Sequence, residues 1–424
     1  MIKKLQKLIF EKCYIPFRAQ LLKLRYALVL KRLKKEYGNR KIRVGFLVSE
    51  IAKWKGQSLF DLMAKSEDFD PEMLIIPSLH SYKKDTAYIA TDIINKVEYF
   101  YKNGMKVTNV WDEKNNNYRK SYIFKFDIIF YQQTWDIPPA PYLEDISKHS
   151  LTFYFPYYLV NNFIPSTELL MYLHYCVFRH IVFNDDQINF YKPYLKKINY
   201  AGKMVGLGHP AIDEFYLKKN YNTTKNYVIY APHFSFKCDR HTGKDLPYYS
   251  STFLEQGRFI LEYAKKHSEI NWVFKPHPRL RTELTDYNVW TKEEVDEYYL
   301  EWEKIGTVCF DSHYINYFLE SKAMITDCSS FLTEYSCTGK PLIRLIPYEG
   351  KYLAQPHPAL EKLYDCFYKS YNNKELADLL EMVVVENKDP MKKTRIEQVE
   401  KAKLIGNYAA QNIIDYIRKL LKNN

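Results

Sequence analysis

Several features that are common in exported or membrane-spanning chains are missing from this sequence. Its cysteines form no C-x-x-C pair and no zinc-ligand spacing; they are Cys13, Cys176, Cys238, Cys309, Cys328, Cys337 and Cys366. Because their number is odd and no export signal is recognised in the sequence, reduced thiols in the cytoplasm are expected. No stretch of about 18 uninterrupted apolar residues occurs, so no transmembrane helix is expected either.

Net positive charge is absent beyond the first tenth of the chain, although the whole protein carries a formal charge of +12. Residues 1–43 hold fourteen Lys or Arg and only two acidic residues, Glu11 and Glu36. The remaining residues are therefore neutral by the same count. A length of 424 residues is enough for two domains with separate cores. The basic excess thus belongs to one segment and not to the fold.

The basic segment also has apolar residues at helical spacing, from Leu5 to Leu30, with Pro16 expected to divide it. Charges interrupt it throughout and no small-residue cleavage site follows, which excludes a signal peptide. A basic amphipathic helix is typical of an anionic membrane surface. The alternative is a solvated helix that packs on the N-terminal domain. A nucleic-acid partner is not expected, because no nucleic-acid-binding module is evident.

Alternating strands and helices predict parallel sheets in two domains. Expected strands include residues 42–48, 73–76, 126–131, 151–155 and 181–183 in the first domain. In the second they include residues 227–230, 272–274, 307–310, 323–326 and 342–346. A linker is expected at about 207–226, and one long helix from about 395 to 420.

Two strand ends in the second half carry phosphate-binding chemistry. The strand at 323–326 leads through Asp327 to Ser329 and Ser330, which open a helix, and a helix N-terminus suits a phosphate. The strand at 272–274 is followed by the segment Lys-Pro-His-Pro-Arg, residues 275–279. In an open α/β sheet such edges line one crevice. Taken alone, the first pattern is equally typical of an ordinary N-cap.

These motifs carry a family resemblance. The segments KPHP (275–278) and TDCSSFLTEYSCTGKPLI (326–343) resemble the CDP-glycerol glycerophosphotransferase family, whose members build teichoic acids and have relatives in capsule and lipopolysaccharide synthesis. The segments VIYAPHF (228–234), VGLGHPAIDEF (205–215) and IGNYAAQNIIDYI (405–417) extend it over most of residues 120–417.

The resemblance implies a GT-B fold, with two Rossmann-like domains facing a central cleft and the nucleotide donor on the C-terminal one. We therefore divide the chain into a basic membrane-surface segment, an acceptor domain, a donor domain and a C-terminal helix that crosses back. The boundaries are residues 1–38, 39–210, 222–395 and 396–424.

The expected donor site lies in the C-terminal domain. His277 is the first candidate for a catalytic contact to the donor diphosphate, since diphosphate needs hydrogen-bond donors and positive charge. The other candidate donor-binding residues are Lys275, Arg279, His233, Ser329, Ser330 and, for ribose hydroxyls, Glu334. No metal or other cofactor is expected, because these residues can hold the diphosphate and no acidic cluster of the D-x-D type argues for a metal.

The expected base lies in the N-terminal domain, where the family carries Gln-Thr-Trp-His-Gly. This chain instead reads Gln133-Thr134-Trp135-Asp136-Ile137, so a carboxylate stands where the histidine would be. Asp136 can deprotonate an acceptor hydroxyl, especially if burial raises its pKa, although it is also typical of a turn before Pro138. Glu50, Gln57 and Ser58 are further acceptor-side candidates.

The sequence thus favours a transferase at the inner face of the cell membrane. It would move a sugar or polyol-phosphate unit from a nucleotide-linked donor to a glycan or lipid-linked acceptor of the capsule, lipopolysaccharide or teichoic-acid type. The alternative is a non-catalytic nucleotide- or glycan-binding protein on a degenerate GT-B frame.

Overall fold

The structure is a computed structural model of the full chain. The structure describes residues 15–78, 81, 85–133, 143–159, 176–195, 203–217, 225–235, 251–310, 314–347, 360–402, 404 and 408–422. The chain divides into two compact units. Unit 1 comprises residues 1–159, 164–213 and 408–424, and unit 2 comprises residues 160–163 and 214–407.

Unit 1 is built on a parallel sheet of seven strands in the order β3-β2-β1-β6-β7-β8-β9. These strands are β1 (Ile42–Val48), β2 (Phe69–Ile75), β3 (Val107–Asn109), β6 (Ile128–Tyr131), β7 (Leu151–Tyr154), β8 (Arg179–Val182) and β9 (Met204–Gly206). A two-stranded antiparallel hairpin, β4 (Trp111–Asp112) and β5 (Asn117–Tyr118), lies between β3 and β6 in sequence. The central strands are continuous apolar runs because both faces of a parallel sheet are covered.

The helices of unit 1 join and cover these strands. They are α1 (Ile15–Glu36), α2 (Gln57–Lys65), α3 (Thr86–Lys102), α4 (Lys120–Ile123), α5 (Leu143–Ile146), α6 (Asp185–Leu195), α7 (Pro210–Leu217), which crosses into unit 2, and the C-terminal helix α16 (Ala409–Leu421). Pro16 lies in the first turn of α1, where a missing N–H costs nothing. The part of the basic segment that the structure describes is therefore one continuous helix.

Unit 2 has a parallel sheet of six strands in the order β12-β11-β10-β13-β14-β15. The strands are β10 (Tyr227–Ala231), β11 (Trp272–Phe274), β12 (Gly306–Val308), β13 (Ser321–Thr326), β14 (Leu342–Leu345) and β15 (Tyr368–Ser370). Counted from β10, this is the 3-2-1-4-5-6 order of Rossmann folds. The order reverses between β10 and β13, which is where such sheets bind ligands.

Helices flank the sheet of unit 2. They are α8 (Phe253–Lys266), α9 (Leu280–Asp286), α10 (Lys292–Ile305), α11 (Ile315–Glu320), α12 (Ser329–Ser336), α13 (Glu361–Tyr364), α14 (Asn373–Leu380), a π-helical turn (Glu381–Val385) and α15 (Lys392–Lys401). The core is rich in aromatic residues. Phe274 stacks on Trp302 with ring centroids 5.0 Å apart, and Trp302 also packs against Tyr230.

Two expectations about helices need correction. The single helix expected from about 395 to 420 is two helices, α15 and α16, and only α16 belongs to unit 1. The expected linker at 207–226 contains helix α7. Apolar residues recur at near-helical spacing from α15 into α16, so the sequence does not reveal the break between these two helices.

Candidate functional site

The two predicted phosphate-binding motifs meet at one edge of the sheet of unit 2. Strands β11, β10 and β13 are neighbours, with Tyr230 paired to Phe274 and Ala231 paired to Thr326. The carboxyl ends of these strands therefore bring His233, Lys275 and Asp327 to the same edge of the sheet. The backbone N–H of His277 donates to the carbonyl of Pro232 at 3.0 Å, which ties the first two segments together.

Asp327 organises this edge, although it was not among the predicted site residues. Its carboxylate is buried and accepts the backbone N–H groups of His233 and Thr252, each at 2.6 Å. It therefore joins the turn after β13 to the loop after β10 and to the start of α8. Burial raises the pKa of Asp327 to about 7, while the donated hydrogen bonds from Thr252 and His233 act in the opposite direction.

His277 and His233 lie side by side, with ring centroids 5.0 Å apart, and Phe234 packs against both. The Nδ1 atom of His277 accepts the backbone N–H of Arg279 at 3.1 Å, so a neutral ring carries its proton on Nε2. His233 has the same arrangement with the N–H of Ser235, also at 3.1 Å. Each imidazole is therefore oriented to present an Nε2–H donor.

Burial, and secondarily the positive charge of Arg279, lowers the pKa of His233 to about 4. This ring is neutral at physiological pH and acts as a hydrogen-bond donor, not as a cation. Positive charge at the edge comes instead from Arg279 and Lys275. Arg279 donates to Glu283 through Nε at 2.9 Å, and its guanidinium lies 4.2 Å from the ring centroid of Phe234.

Lys275 is 5% exposed, and its ammonium lies 5.1 Å from the ring centroid of Tyr314. The hydroxyl of Tyr314 donates in turn to the buried carboxylate of Glu334, and both burial and that carboxylate raise the pKa of Tyr314. Glu334 thus contacts Tyr314 from inside the unit. The sequence does not predict Tyr314 as a partner of Glu334. The contact of Glu334 with a ribose stays a prediction.

Helix α12 begins at Ser329 and Ser330, as the sequence predicts, and Cys328 is its N-cap. The Cys328 side chain forms no cap hydrogen bond at this N-terminus, and the start of a helix is a favourable place for an anion. The hydroxyl of Ser330 lies 3.2 Å from the sulfur of Cys328. Burial raises the pKa of the Cys328 thiol to about 11, which keeps it neutral beside this helix end.

The acceptor-side candidates lie in unit 1, where strands β1 and β6 are neighbours at the point of order reversal. Glu50 follows β1; its carboxylate accepts from Lys53 at 2.8 Å and from the amide of Gln133 at 3.5 Å. Gln57 accepts from the indole of Trp54 at 3.0 Å. Asp136 lies outside the described residues, so its role as a base stays a prediction.

Ser58 has structural contacts. Its hydroxyl is buried and lies within hydrogen-bonding distance of the carbonyl of Pro210, at 3.0 Å, and of the carboxylate of Asp213, at 2.9 Å. Asp213 also accepts the first two backbone N–H groups of α16, from Ala409 and Ala410, each at 2.8 Å. Ser58 thus supports the C-terminal helix.

No cluster of three or more His, Cys, Asp or Glu side chains that could hold a metal ion is present among the residues that the structure describes. The sequence analysis did not predict Asp327, Thr252 and Tyr314 as parts of this edge of the sheet of unit 2. A signal existed only for Asp327, whose position directly after a strand was visible in the motif.

Comparison with known proteins places the fold. No protein-family description matches the chain, and no curated protein sequence matches it. Among solved structures, S. aureus MnaA with UDP is similar over 90% of this chain and 97% of its own, at 11% identity and a TM-score of 0.53. The H444N variant of the wall teichoic acid polymerase TagF covers 99% of this chain and 98% of its own, at 11% identity and a TM-score of 0.53.

A UDP-N-acetylglucosamine 2-epimerase covers 89% of this chain and 95% of its own, at 12% identity and a TM-score of 0.52. With the two parallel sheets, these likenesses confirm the predicted α/β, GT-B-like fold class. At such identities they show the fold alone.

Proposed function

We propose that the protein is a transferase that moves a sugar or polyol-phosphate unit from a nucleotide-diphosphate-linked donor onto a cell-surface polysaccharide. The observation that carries the proposal is the convergence of His277, Lys275 and the N-terminus of α12 at the switch point of unit 2. Among the residues that the structure describes, this edge offers oriented N–H donors and positive charge but no cluster of acidic side chains that could hold a metal ion. A nucleoside diphosphate is the ligand class that such an edge suits.

The same groups suit the chemistry of transfer. The acceptor hydroxyl oxygen forms a bond to the transferred unit while the bond from that unit to the donor phosphate oxygen breaks, and the acceptor proton passes to a base. The nucleotide leaves with additional negative charge. The Nε2–H of His277 and the cations Lys275 and Arg279 stabilise that charge, which lowers the barrier because they are fixed beforehand.

The resemblance to CDP-glycerol glycerophosphotransferases and the names of two structural neighbours support the product class. TagF is named as a wall teichoic acid polymerase, and MnaA was solved with UDP. A capsule, lipopolysaccharide or teichoic-acid polymer is therefore the proposed acceptor. Because 2-epimerases of UDP-N-acetylglucosamine share the fold, the experiment needs an arm without acceptor.

Calorimetric titration with CDP, UDP, GDP and CMP tests the donor site. We expect at least one nucleotide to bind, and His277→Ala to weaken that binding by tenfold or more. Ser329→Ala and Ser330→Ala should each cost about 1 kcal/mol, the usual value of a neutral hydrogen bond. His267→Ala, in the same unit but at the far end of α8, is the matched control and should leave affinity unchanged.

No binding of any of the four nucleotides would refute the proposal, and full affinity in the His277 variant would show that the pocket is misplaced. Turnover is then measured with labelled donor, with and without a membrane acceptor fraction. Acceptor-dependent release of nucleotide supports transfer. Conversion of donor without acceptor would indicate an epimerase. Nucleotide binding with neither transfer nor conversion of donor would indicate the non-catalytic alternative.

Asp136 is the proposed base, on the sequence alone. Asp136→Asn keeps the size of the side chain but cannot take a proton, so turnover should fall by about 10²–10⁴-fold with nearly unchanged nucleotide affinity. An Asn variant with normal turnover would make Asp136 a turn residue and promote Glu50.

A membrane-surface location belongs to the same proposal, and helix α1 supports it. Leu22, Tyr26, Val29 and Leu33 are buried against unit 1, which is the alternative that the sequence left open. The opposite face still carries exposed apolar side chains, since Phe17, Leu24 and Leu28 are 68%, 65% and 69% exposed. Lysines flank that face.

An apolar face flanked by lysine is the arrangement that binds anionic lipid. No described helix is long and apolar enough to cross a membrane. We propose that the protein is held at the inner face of the cell membrane through α1 and the basic residues before it.

A further inference from the structure

A second basic site lies in unit 1, at the sheet edge opposite the acceptor-side candidates. Arg43 is the second residue of strand β1 and Asp127 immediately precedes β6, so both lie at the amino ends of their strands. An open cavity of about 630 Å³ is found there. Its charged lining consists of Arg32, Arg40, Arg43, Lys125, Lys148 and a single carboxylate, Asp127.

Asp127 holds part of this cavity in place. It is 2% exposed and accepts two hydrogen bonds from Arg40, at 2.6 and 2.9 Å, and one from Arg32 at 3.1 Å. It also accepts the backbone N–H of Arg43 at 3.0 Å. Arg32 donates in addition to the carbonyl of His149 at 2.8 Å. The cations are therefore fixed by a buried carboxylate and a carbonyl, which is the preorganisation that a binding site needs.

Two cations of the cavity are not neutralised by this arrangement. The guanidinium of Arg43 lies 4.9 Å from the ring centroid of Phe126, and the ammonium of Lys125 lies 5.3 Å from that of Tyr122. Neither side chain forms an ion pair with a carboxylate among the residues that the structure describes. Glu36, which pairs with Arg32 and Arg40, does not line the cavity.

One wall of the cavity is flat. The imidazole of His149 stacks on Phe124 with centroids 4.5 Å apart and 22° between the ring planes. Burial, followed by the charges of Lys148 and Arg32, lowers the pKa of His149, as expected for a ring among cations. Lys148 itself is paired with Asp145 at 2.9 Å. An anion entering the cavity would relieve the repulsion among the remaining cations.

We propose that this cavity binds a phosphate group, with Arg43 and Lys125 as its direct ligands and the Arg32–Asp127–Arg40 cluster as the scaffold. Phosphate is favoured over a halide or a single carboxylate because a guanidinium donates two parallel hydrogen bonds to it and a lysine adds a point charge. The proposal is independent of the donor site in unit 2.

The phosphate can come from a soluble phosphate compound or from a lipid headgroup. Helix α1 carries Arg32 and, one turn earlier, the exposed Leu28, so the second source has a physical basis. The chemistry of the site is the same in both cases, and the experiment separates them.

The soluble arm measures binding of inorganic phosphate and of glycerol 3-phosphate to the full chain by calorimetry at low ionic strength. The variant Arg43→Gln with Lys125→Gln should weaken binding of both by tenfold or more. Lys65→Gln with Lys102→Gln, two exposed residues of the same unit, removes equal charge and should change affinity less than twofold. Lys125→Gln alone serves as a second variant, because an exposed lysine is not needed for folding.

The lipid arm measures sedimentation with phosphatidylglycerol vesicles and with phosphatidylcholine vesicles. Loss of phosphatidylglycerol binding in the double variant, with the control unchanged, identifies the lipid headgroup. Loss of soluble phosphate binding with unchanged vesicle binding identifies a soluble ligand.

Wild-type protein that binds neither phosphate ligand at low salt would overturn the site, and so would equal affinity in wild type and both cavity variants. His277→Ala should keep the phosphate binding that depends on Arg43 and Lys125. If nucleotide binding is absent while this phosphate binding remains, the proposed function fails and the phosphate site stands.

Discussion

The carboxylate of Asp327 accepts the backbone N–H of His233 at 2.6 Å, across 94 residues of sequence. The second oxygen accepts the N–H of Thr252 at the same distance. One buried side chain after β13 therefore fixes the backbone of the loop that presents His233. The geometry of the proposed donor site depends on this residue, which does not itself need to touch the nucleotide.

Asp327→Asn should weaken the proposed nucleotide binding and lower the melting temperature. Asparagine offers one oxygen and one NH₂ group, so either His233 or Thr252 loses its acceptor, at a cost of about 1–3 kcal/mol for an unsatisfied buried group. Calorimetry with the nucleotide that binds wild type, together with thermal denaturation, measures both effects. Asp378→Asn, on the exposed surface of α14, is the control. An unchanged melting temperature in Asp327→Asn would contradict the anchoring role.

His209 predicts a pH dependence of stability in unit 1. Its Nε2–H donates to the carbonyl of Pro156 at 2.6 Å and its Nδ1 accepts the N–H of Ala211 at 3.2 Å, so the folded state holds a neutral ring. Burial lowers the pKa of His209 to about 4. Between pH 4 and about 6.5 the unfolded chain binds the extra proton, so the free energy of unfolding should rise with pH in this window.

Urea denaturation at pH 4.5, 5.5 and 6.5 measures the contribution of His209, which reaches at most about 3 kcal/mol. His209→Gln cannot titrate, so the difference in unfolding free energy between wild type and variant should increase with pH. His267→Gln is the control for a half-buried imidazole in unit 2. A difference that stays constant across the window would mean that the ring is not held neutral.

Ser58→Ala separates a structural from an acceptor-binding role. The hydroxyl contacts Asp213 and Pro210, so its loss should cost about 1 kcal/mol of stability, with turnover per folded molecule unchanged. Asp213→Ala removes the acceptor of the two N–H groups of α16 and should cost on the order of 3 kcal/mol or more, since several buried donors lose their partner. Reduced turnover at normal stability in Ser58→Ala would restore its predicted role at the acceptor side.

The exposed face of α1 gives a test of membrane binding that leaves the fold intact. Removing the whole segment would also remove Leu22, Tyr26 and Leu33 from the core of unit 1. Leu24→Ser with Leu28→Ser should instead reduce binding to anionic vesicles while the melting temperature stays within about 2 °C, because both side chains are already in solvent. Added salt should weaken wild-type binding further. Undiminished sedimentation of this variant would show that another surface contacts the membrane.

Sequence patterns predicted the central strands well and the edges poorly. Strands β1 and β11 begin and end where expected, because buried parallel strands are continuous apolar runs. The strands β3, β9 and β15 were missed, since they are short and lack the continuous apolar run that marks β11. They form by pairing with a neighbour that is already in place, and that neighbour is distant in sequence.

The site shows the same division. The ends of β11 and β13 could be predicted because a parallel sheet gathers its carboxyl ends at one edge. The partners of Asp327 could not, because the adjacency of β10 and β13 is a property of strand order. Helical periodicity predicts which face of α12 carries Glu334. It does not predict whether Tyr314 or a ligand contacts that face.

Helix α16 belongs to unit 1 but follows all of unit 2 in the sequence. Its apolar side chains, Ile413, Ile414, Ile417 and Leu421, are buried, and Arg418 donates to Asp68 at 2.8 Å. During synthesis from the N-terminus, unit 2 is complete at residue 407, whereas unit 1 must wait for its last segment. A chain that is cut short before α16 would therefore have one finished unit and one unfinished unit. Such a chain exposes the apolar surface of unit 1 that α16 covers, so proteolysis should begin in unit 1 although its sheet precedes unit 2 in the sequence.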